Sequence, residues 1–452
     1  MSEKKFKIRL SPSMQILLGF IGIILIGTFL LSMPISNNDG KWLNFVDSLF
    51  TSTSAVCVTG LIVVDTAVQF SLFGQFVIMF LIQIGGLGIV ALTSFIFLIL
   101  RKKINFSSRV AIKESLNRET IQGVVKFIKK VIILTFVIEG AGALLLLAST
   151  ISFTGSFGRG LFSAVFMSIS AFCNAGFDVF GSETSQFMSL NPFASNVLMQ
   201  LPLMILIILG GIGFVVLIDG IKNFRTNQHA RVVVWATITL LFGGAVLFLI
   251  AEWNNPLTLG DMKWWEKILN AFFQSVTTRT AGASTIDQSG MTTMGTFITM
   301  LLMFVGGSPT STAGGIKTTT IFVVLLLLFK TPNQNGHIVY KNRKISANII
   351  SKAFRIMLYS IIMLMITIVT ISLIEGEDFS LIEIMYECVS AISTVGLSMG
   401  VTPYLSVLSK LIVLILMFVG RVGMTTIILA LSTKTRDVYE QVEYINTDII
   451  VG

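Results

Sequence analysis

The chain has 452 residues, of which 54% are hydrophobic and only 12% charged, whereas ordinary soluble domains carry about 25% charged residues. A water-soluble fold of this composition could not cover its surface, so lipid is the expected solvent. The net charge of +9 does not point to nucleic acid, because Lys and Arg cluster in short segments between apolar runs, as in cytoplasmic loops.

Residues 1–9 are basic and precede an apolar run that is longer than a signal-peptide core and lacks a clear cleavage site. A retained first helix over 16–31 is predicted, with the N-terminus inside. Further long helices are expected at 72–100, 131–149, 197–218, 232–251, 296–329, 356–374 and 405–431, each able to supply the roughly 20 residues that a span needs. The basic segments at 101–130, 222–231 and 330–355 and the basic pair Lys434 and Arg436 then fall on one side, which puts both termini inside. Cys57, Cys173 and Cys388 show no metal-ligand spacing and suggest no disulfide. The two histidines, His229 and His337, lie in inner loops, so the spans offer no titratable constellation for an enzyme.

Between these helices, four segments align without gaps on a glycine. They run from Phe50 to Leu61, Phe166 to Phe177, Phe272 to Ala283 and Tyr386 to Leu397, each with an aromatic residue ten before the glycine. Ser54, Ser170 and Ser390 stand six before it in three of the four. A second glycine landmark follows each one: Gly85-Gly86-Leu87-Gly88, Gly210-Gly211-Ile212-Gly213, Gly306-Gly307-Ser308-Pro309 and Gly420-Arg421-Val422-Gly423. Packing alone explains one Gly-rich membrane helix, but not a register repeated four times. Each repeat therefore reads as helix, short re-entrant helix, turn, helix, with the pore segment entering and leaving on the outer side.

Irregular backbone survives at membrane depth only where it lines a cavity or is buried in protein. The turns Val58-Thr59-Gly60, Asn174-Ala175-Gly176, Thr280-Ala281-Gly282 and Thr394-Val395-Gly396 can aim carbonyl rings at a dehydrated alkali cation. Glycine admits the required backbone angles, and the carbonyl end of each short helix adds a partial negative charge. Thr394-Val395-Gly396 matches the start of the K+ channel filter motif, then departs at Leu397.

With these residues in view, the chain resembles the Ktr/Trk/HKT superfamily of K+ transporters, and specifically its KtrB-type membrane subunits, from about residue 14 to the end. The resemblance implies an all-α integral membrane protein: four M1-P-M2 repeats, with eight transmembrane helices and four re-entrant pore helices, in pseudo-fourfold arrangement around one pore. The repeats would span 1–105, 106–226, 227–340 and 341–432, followed by a cytoplasmic tail at 433–452. It further implies K+ uptake across the bacterial cell membrane, a homodimer, and a cytosolic KtrA-like nucleotide-binding (RCK) ring contacted by the inner loops and tail. The chain itself would bind no cofactor. K+ would be the transported ion, held at the twelve filter residues, with Na+ as a modulator. The alternative kept open is a Na+-coupled or Na+-permeable secondary cation transporter, although such folds often use inverted repeats and these four share one topology.

The third long helix of the second kind is interrupted by Gly306-Gly307-Ser308-Pro309-Thr310-Ser311-Thr312-Ala313-Gly314-Gly315. A passive kink is the bland alternative, but proline, four glycines and a run of hydroxyls disrupt more than a kink requires. In the family this segment is an intramembrane gating loop below the filter. Lys317, which could simply reach the inner interface, and Arg421, which could be an interhelical ion pair, complete the candidate gate, since charges at membrane depth are costly and usually functional. Glu139 is the candidate counter-charge. Outer acids such as Asp65, Asp178 and Glu375 are candidate concentrators of cations at the mouth.

Overall fold

The computed structural model describes residues 12–88, 123–220, 223–330, 337–341, 343–424 and 426–427. The inner ends of the helices expected at 72–100 and 405–431, most of the 101–130 loop and the 433–452 tail lie outside the described residues.

Helices come in groups. The first is α1 (Pro12–Ser32), α2 (Phe45–Cys57) and α3 (Leu72–Leu87). The second is α4 (Val124–Thr154), α5 (Phe157–Cys173) and α6 (Val197–Ile212). The third is α7 (Gln228–Glu252), α8 (Trp264–Thr277), α9 (Thr293–Phe304) and α10 (Thr318–Phe329). The fourth is α11 (Ala347–Glu375), α12 (Leu381–Ser393) and α13 (Val407–Val422). α1, α4, α7 and α11 are long and apolar enough to cross a membrane. α2, α5, α8 and α12 have 13, 17, 14 and 13 residues, fewer than the roughly 20 that a crossing takes.

Local chemistry fixes where the helices begin. Asn44, Ser71, Asn196, Thr292, Ser380 and Ser406 cap α2, α3, α6, α9, α12 and α13 with side-chain oxygens, and each cap satisfies an orphan amide. Two acids at the outer ends of long helices tie the next helix in place. Glu252, ending α7, accepts from the Thr292 amide (2.9 Å) and hydroxyl (2.6 Å) at the start of α9. Glu375, ending α11, does the same for Ser406 (3.1 and 2.7 Å) at the start of α13.

In the first, second and fourth groups the short helix packs on both of its long neighbours, whereas in the third α8 packs on α7. Gly27, Gly142 and Gly244 permit the closest approach, since a Cβ there would collide with the hydroxyls of Ser52, Ser168 and Ser275. Those hydroxyls donate to Ile24, Glu139 and Leu241 carbonyls at 2.8, 2.6 and 2.8 Å. Between groups, α3 packs on α5, α6 on α8, α9 on α12, and α13 returns to α2, so the chain closes on itself.

Three expectations are corrected. α3, α6 and α13 do not run on as single helices. They end at Gly88, Gly213 and Gly423, with φ of +83°, +99° and +86°, a region that glycine alone enters cheaply. The hydroxyls of α8 show that the ungapped alignment slips: Ser275 and Thr277 take the places of Ser52 and Ser54, so the third turn is one residue shorter. The helical fold also carries a small antiparallel hairpin, β1 (Ile338–Tyr340) with β2 (Arg343–Ile345).

Candidate functional site

The four glycine turns meet at the centre. Val58, Asn174 and Thr394 cap α2, α5 and α12 in the left-handed region, with φ of 56°, 60° and 51°, and Thr280 shares it at 68°. Gly60, Gly176, Gly282 and Gly396 also have positive φ, of 94°, 72°, 75° and 96°. Positive φ thus recurs at alternate residues of each turn. Buried hydroxyls hold the turns from behind. Ser54 and Ser390 accept from the Gly60 and Gly396 amides at 3.0 Å, while Ser170 and Thr277 donate to the Phe177 and Ala283 carbonyls.

The glycines interlock in a ring. A Cβ on Gly60 would stand 2.6 Å from the Ala175 carbonyl oxygen, and one on Gly176 would stand 2.9 Å from that of Ala281. A Cβ on Gly282 or Gly396 would press still closer on the Val395 and Thr59 carbonyls. Each turn thus leans on the next, and the fourth leans on the first. All twelve residues expected to form the filter fall in these turns.

Segment 306–315 leaves α9 and crosses beneath the turns before α10 begins. The Ser308 and Thr312 amides donate to Gly211 and Gly210 carbonyls at 3.0 and 3.2 Å, and Thr310 accepts from the Phe214 amide at 3.0 Å. The Thr312 hydroxyl donates to the Phe172 carbonyl at 3.0 Å and lies 3.3 Å from Asn174 Oδ1. On the other side Gly315 N–H donates to the Gly420 carbonyl at 3.3 Å, and Gly314 lies against the Thr394 side chain. Gly306 and Gly307 fold back on Gly314 and Ala313, and Ser311 donates to the Ser308 carbonyl at 2.6 Å.

Two cations hold this segment. Lys317 does not reach away from it: Nζ turns back to the Ala313 and Gly314 carbonyls at 2.7 and 3.3 Å. Arg421 donates to the carbonyls of Thr312 on the loop and of Gly85 and Gly86 on α3. Its partners are therefore backbone oxygens, and Glu139 is not its counter-charge. The Glu139 carboxyl instead meets the Cys173 thiol at 3.8 Å, with no ion pair among the described residues.

Three features escape a sequence reading. The Asn174 side chain bridges the second turn to the third, donating to the Arg279 carbonyl at 3.1 Å, and its Oδ1 accepts from the Thr312 hydroxyl of the loop. Arg279, three residues before Gly282, is 6% exposed, and its Nε and Nη2 have no hydrogen-bond partner among the described residues; the only signal was a charge inside the turn segment itself. Outer acids are also less free than their loop positions imply, since Asp65 accepts from the Ala67, Val68 and Phe187 amides.

Residues 11–441 match the family model described as TrkH, cation transport protein. The chain is 38% identical to the "Potassium/sodium uptake protein NtpJ" of Enterococcus hirae, covering 100% of this chain and 99% of that protein. It is 37% identical to the "Ktr system potassium uptake protein B" of Bacillus subtilis, covering 98% of each. The crystal structure of the potassium transporter TrkH from Vibrio parahaemolyticus shares the fold, with a TM-score of 0.70 at 16% identity over 95% of this chain and 87% of that one.

Proposed function

Because the chain belongs to the TrkH family of cation transport proteins, we propose that it is a K+ uptake protein of the cell membrane, conducting through a channel-like pore on the axis where its four glycine turns meet. The interlocked ring of Gly60, Gly176, Gly282 and Gly396 carries this reading. It supports four M1-P-M2 repeats, divided as the sequence suggests, in pseudo-fourfold order around one path. Carbonyls set side by side in a ring replace the hydration shell of an alkali cation. The short helices α2, α5, α8 and α12 all run C-terminally into the turns, so their negative dipole ends face the same point.

Segment 306–315 acts as the gate, since it lies across the path and bonds to the second and fourth groups, while Arg421 links it to the first. The basic loops put both termini in the cytoplasm. A homodimer on a cytosolic nucleotide-binding ring fits the Bacillus subtilis relative, which is named as part of a Ktr system. The Enterococcus hirae relative is named for potassium and sodium, which favours a Na+-coupled or Na+-permeable secondary cation transporter as the second reading.

Ion flux in proteoliposomes, K+ against Na+, tests the proposal. Downhill K+ flux that exceeds Na+ flux is expected. Absence of passive flux, with uptake only when Na+ is supplied as a driving ion, would replace the channel-like pore by coupled transport.

A further inference from the structure

We propose that the cleft between α7, the half-helix α10 and the β1–β2 hairpin binds an acidic phospholipid. The cleft encloses about 540 Å3 and is lined by Arg231, Trp235, Val305, Phe322, Tyr340 and Lys341, among others. Its throat is apolar and its rim is cationic. Arg231 lies one turn into α7, and its Nε is buried with no hydrogen-bond partner among the described residues. Lys341 is carried to the rim by the hairpin, which Gln228 fastens to α7 through the Lys341 carbonyl at 3.3 Å.

The aromatic groups form the wall. Tyr340 meets Phe322 edge-on at 5.3 Å between ring centres, and the Lys330 and Lys341 ammonium groups lie 5.9 and 5.6 Å from its ring. Trp235 is 61% exposed on the spanning helix α7. Tyr and Trp beside Arg and Lys at the end of a spanning helix mark the membrane–water boundary. Basic pockets between membrane helices take anionic headgroups.

Charge selects the occupant. A second copy of a chain with net charge +9 would bring more positive charge to the rim. A phosphodiester between Arg231 and Lys341, with acyl chains along Val232, Trp235 and Leu325, satisfies both the cations and the apolar throat. A second cleft, of about 440 Å3 between α1 and α3, is lined only by apolar residues such as Ile23, Phe76 and Phe80 and has no such preference.

The position gives the site its interest. Val305 and Thr318 of the cleft wall flank the loop. The Thr318 amide donates to the Gly307 carbonyl at 3.1 Å, and its hydroxyl lies 3.2 Å from that of Ser308. A lipid in the cleft therefore touches both roots of the segment that lies across the path.

The test uses the full chain with Trp42, Trp253, Trp264 and Trp265 changed to Phe, reconstituted in phosphatidylcholine vesicles. Trp235 fluorescence is titrated with brominated phosphatidylglycerol or brominated phosphatidylcholine. Preferential quenching by phosphatidylglycerol is expected. Arg231→Ala with Lys341→Ala should weaken that preference about 30-fold, which is about 2 kcal/mol at about 1.4 kcal/mol per decade, each basic residue contributing about 1 kcal/mol near an anionic surface. Arg231→Lys with Lys341→Arg should keep the preference, so the idea stays testable if the alanine pair fails to fold. Equal quenching by both lipids, quenching by neither because a second copy fills the cleft, or displacement by millimolar inorganic phosphate would each overturn the proposal.

Discussion

Arg421 offers the sharpest test of how the loop is held. Its guanidinium donates to Thr312 on the loop and to Gly85 and Gly86 on α3, so it joins the loop to a neighbouring helix. Of these three Arg421 bonds, only the one to Thr312 restrains the loop itself. A hydrogen bond from a charged donor contributes a net of about 1.5–3 kcal/mol. Loss of that single bond in Arg421→Ala should raise the ratio of open to closed loop by roughly 10- to 150-fold, at about 1.4 kcal/mol per decade. The backbone bonds from Ser308, Thr312 and Gly315 to Gly211, Gly210 and Gly420 remain, so the segment should loosen rather than unravel. Removing a positive charge near the path also lowers the barrier to a cation, so both effects share a sign. Thallium or K+ flux into proteoliposomes, without any regulatory protein, reads the outcome. Arg421→Lys separates the causes, because it keeps the charge but loses the planar fork. A rise in flux for both variants identifies the tether, and a rise for alanine alone identifies the charge. Unchanged or lower flux through well-folded Arg421→Ala protein would refute the reasoning.

Other expectations follow from the same geometry. Gly396→Ser and Gly282→Asp should each abolish growth rescue of a K+-uptake-deficient bacterium, because a side chain would collide with the next turn's carbonyl at a positive φ that costs about 1–2 kcal/mol; normal rescue at normal expression would remove these turns from the filter. Asp178, two residues past Gly176 in the outer loop, has its carboxyl raised by burial, and further by Asp65, to about 7. It is therefore neutral at pH 6 and anionic at pH 8, so K+ uptake should increase across that window and Asp178→Asn should flatten the increase; an unchanged pH profile would count against it. Glu252→Ala strands four donors, from the Thr292 amide and hydroxyl, Asn255 and Thr258. A loss of at least about 3 kcal/mol is expected, seen as a lower melting temperature in detergent, with Glu252→Gln nearer to the parent.

The turns were legible because their chemistry is restrictive. A backbone that must hold positive φ against a neighbouring carbonyl leaves only glycine, and glycine at 60, 176, 282 and 396 survives as a countable signal. The second landmark has the same cause: Gly85, Gly210 and Gly420 lie against the carbonyls of Val56, Phe172 and Ile392, where a Cβ has no room. The helix ends at Gly88, Gly213 and Gly423 were not legible. The sequence on either side stays apolar, and hydropathy reports the solvent rather than the course of the backbone. The slip at Thr277 was hidden because the glycine fixed the comparison and the hydroxyl one residue away looked like a substitution. The partners of Arg421 were beyond reach for another reason: backbone carbonyls carry no sequence signature.

A single polypeptide has a freedom here that a ring of identical subunits lacks. Segment 306–315 is bonded to the second and fourth groups through its backbone and Thr312, and to the first through Arg421. Four copies of such a segment would compete for one position, and four copies of Arg421 would crowd like charges around it. On the proposed reading of 306–315 as the gate, a single chain lets one quarter of the molecule supply that loop while the other three hold it.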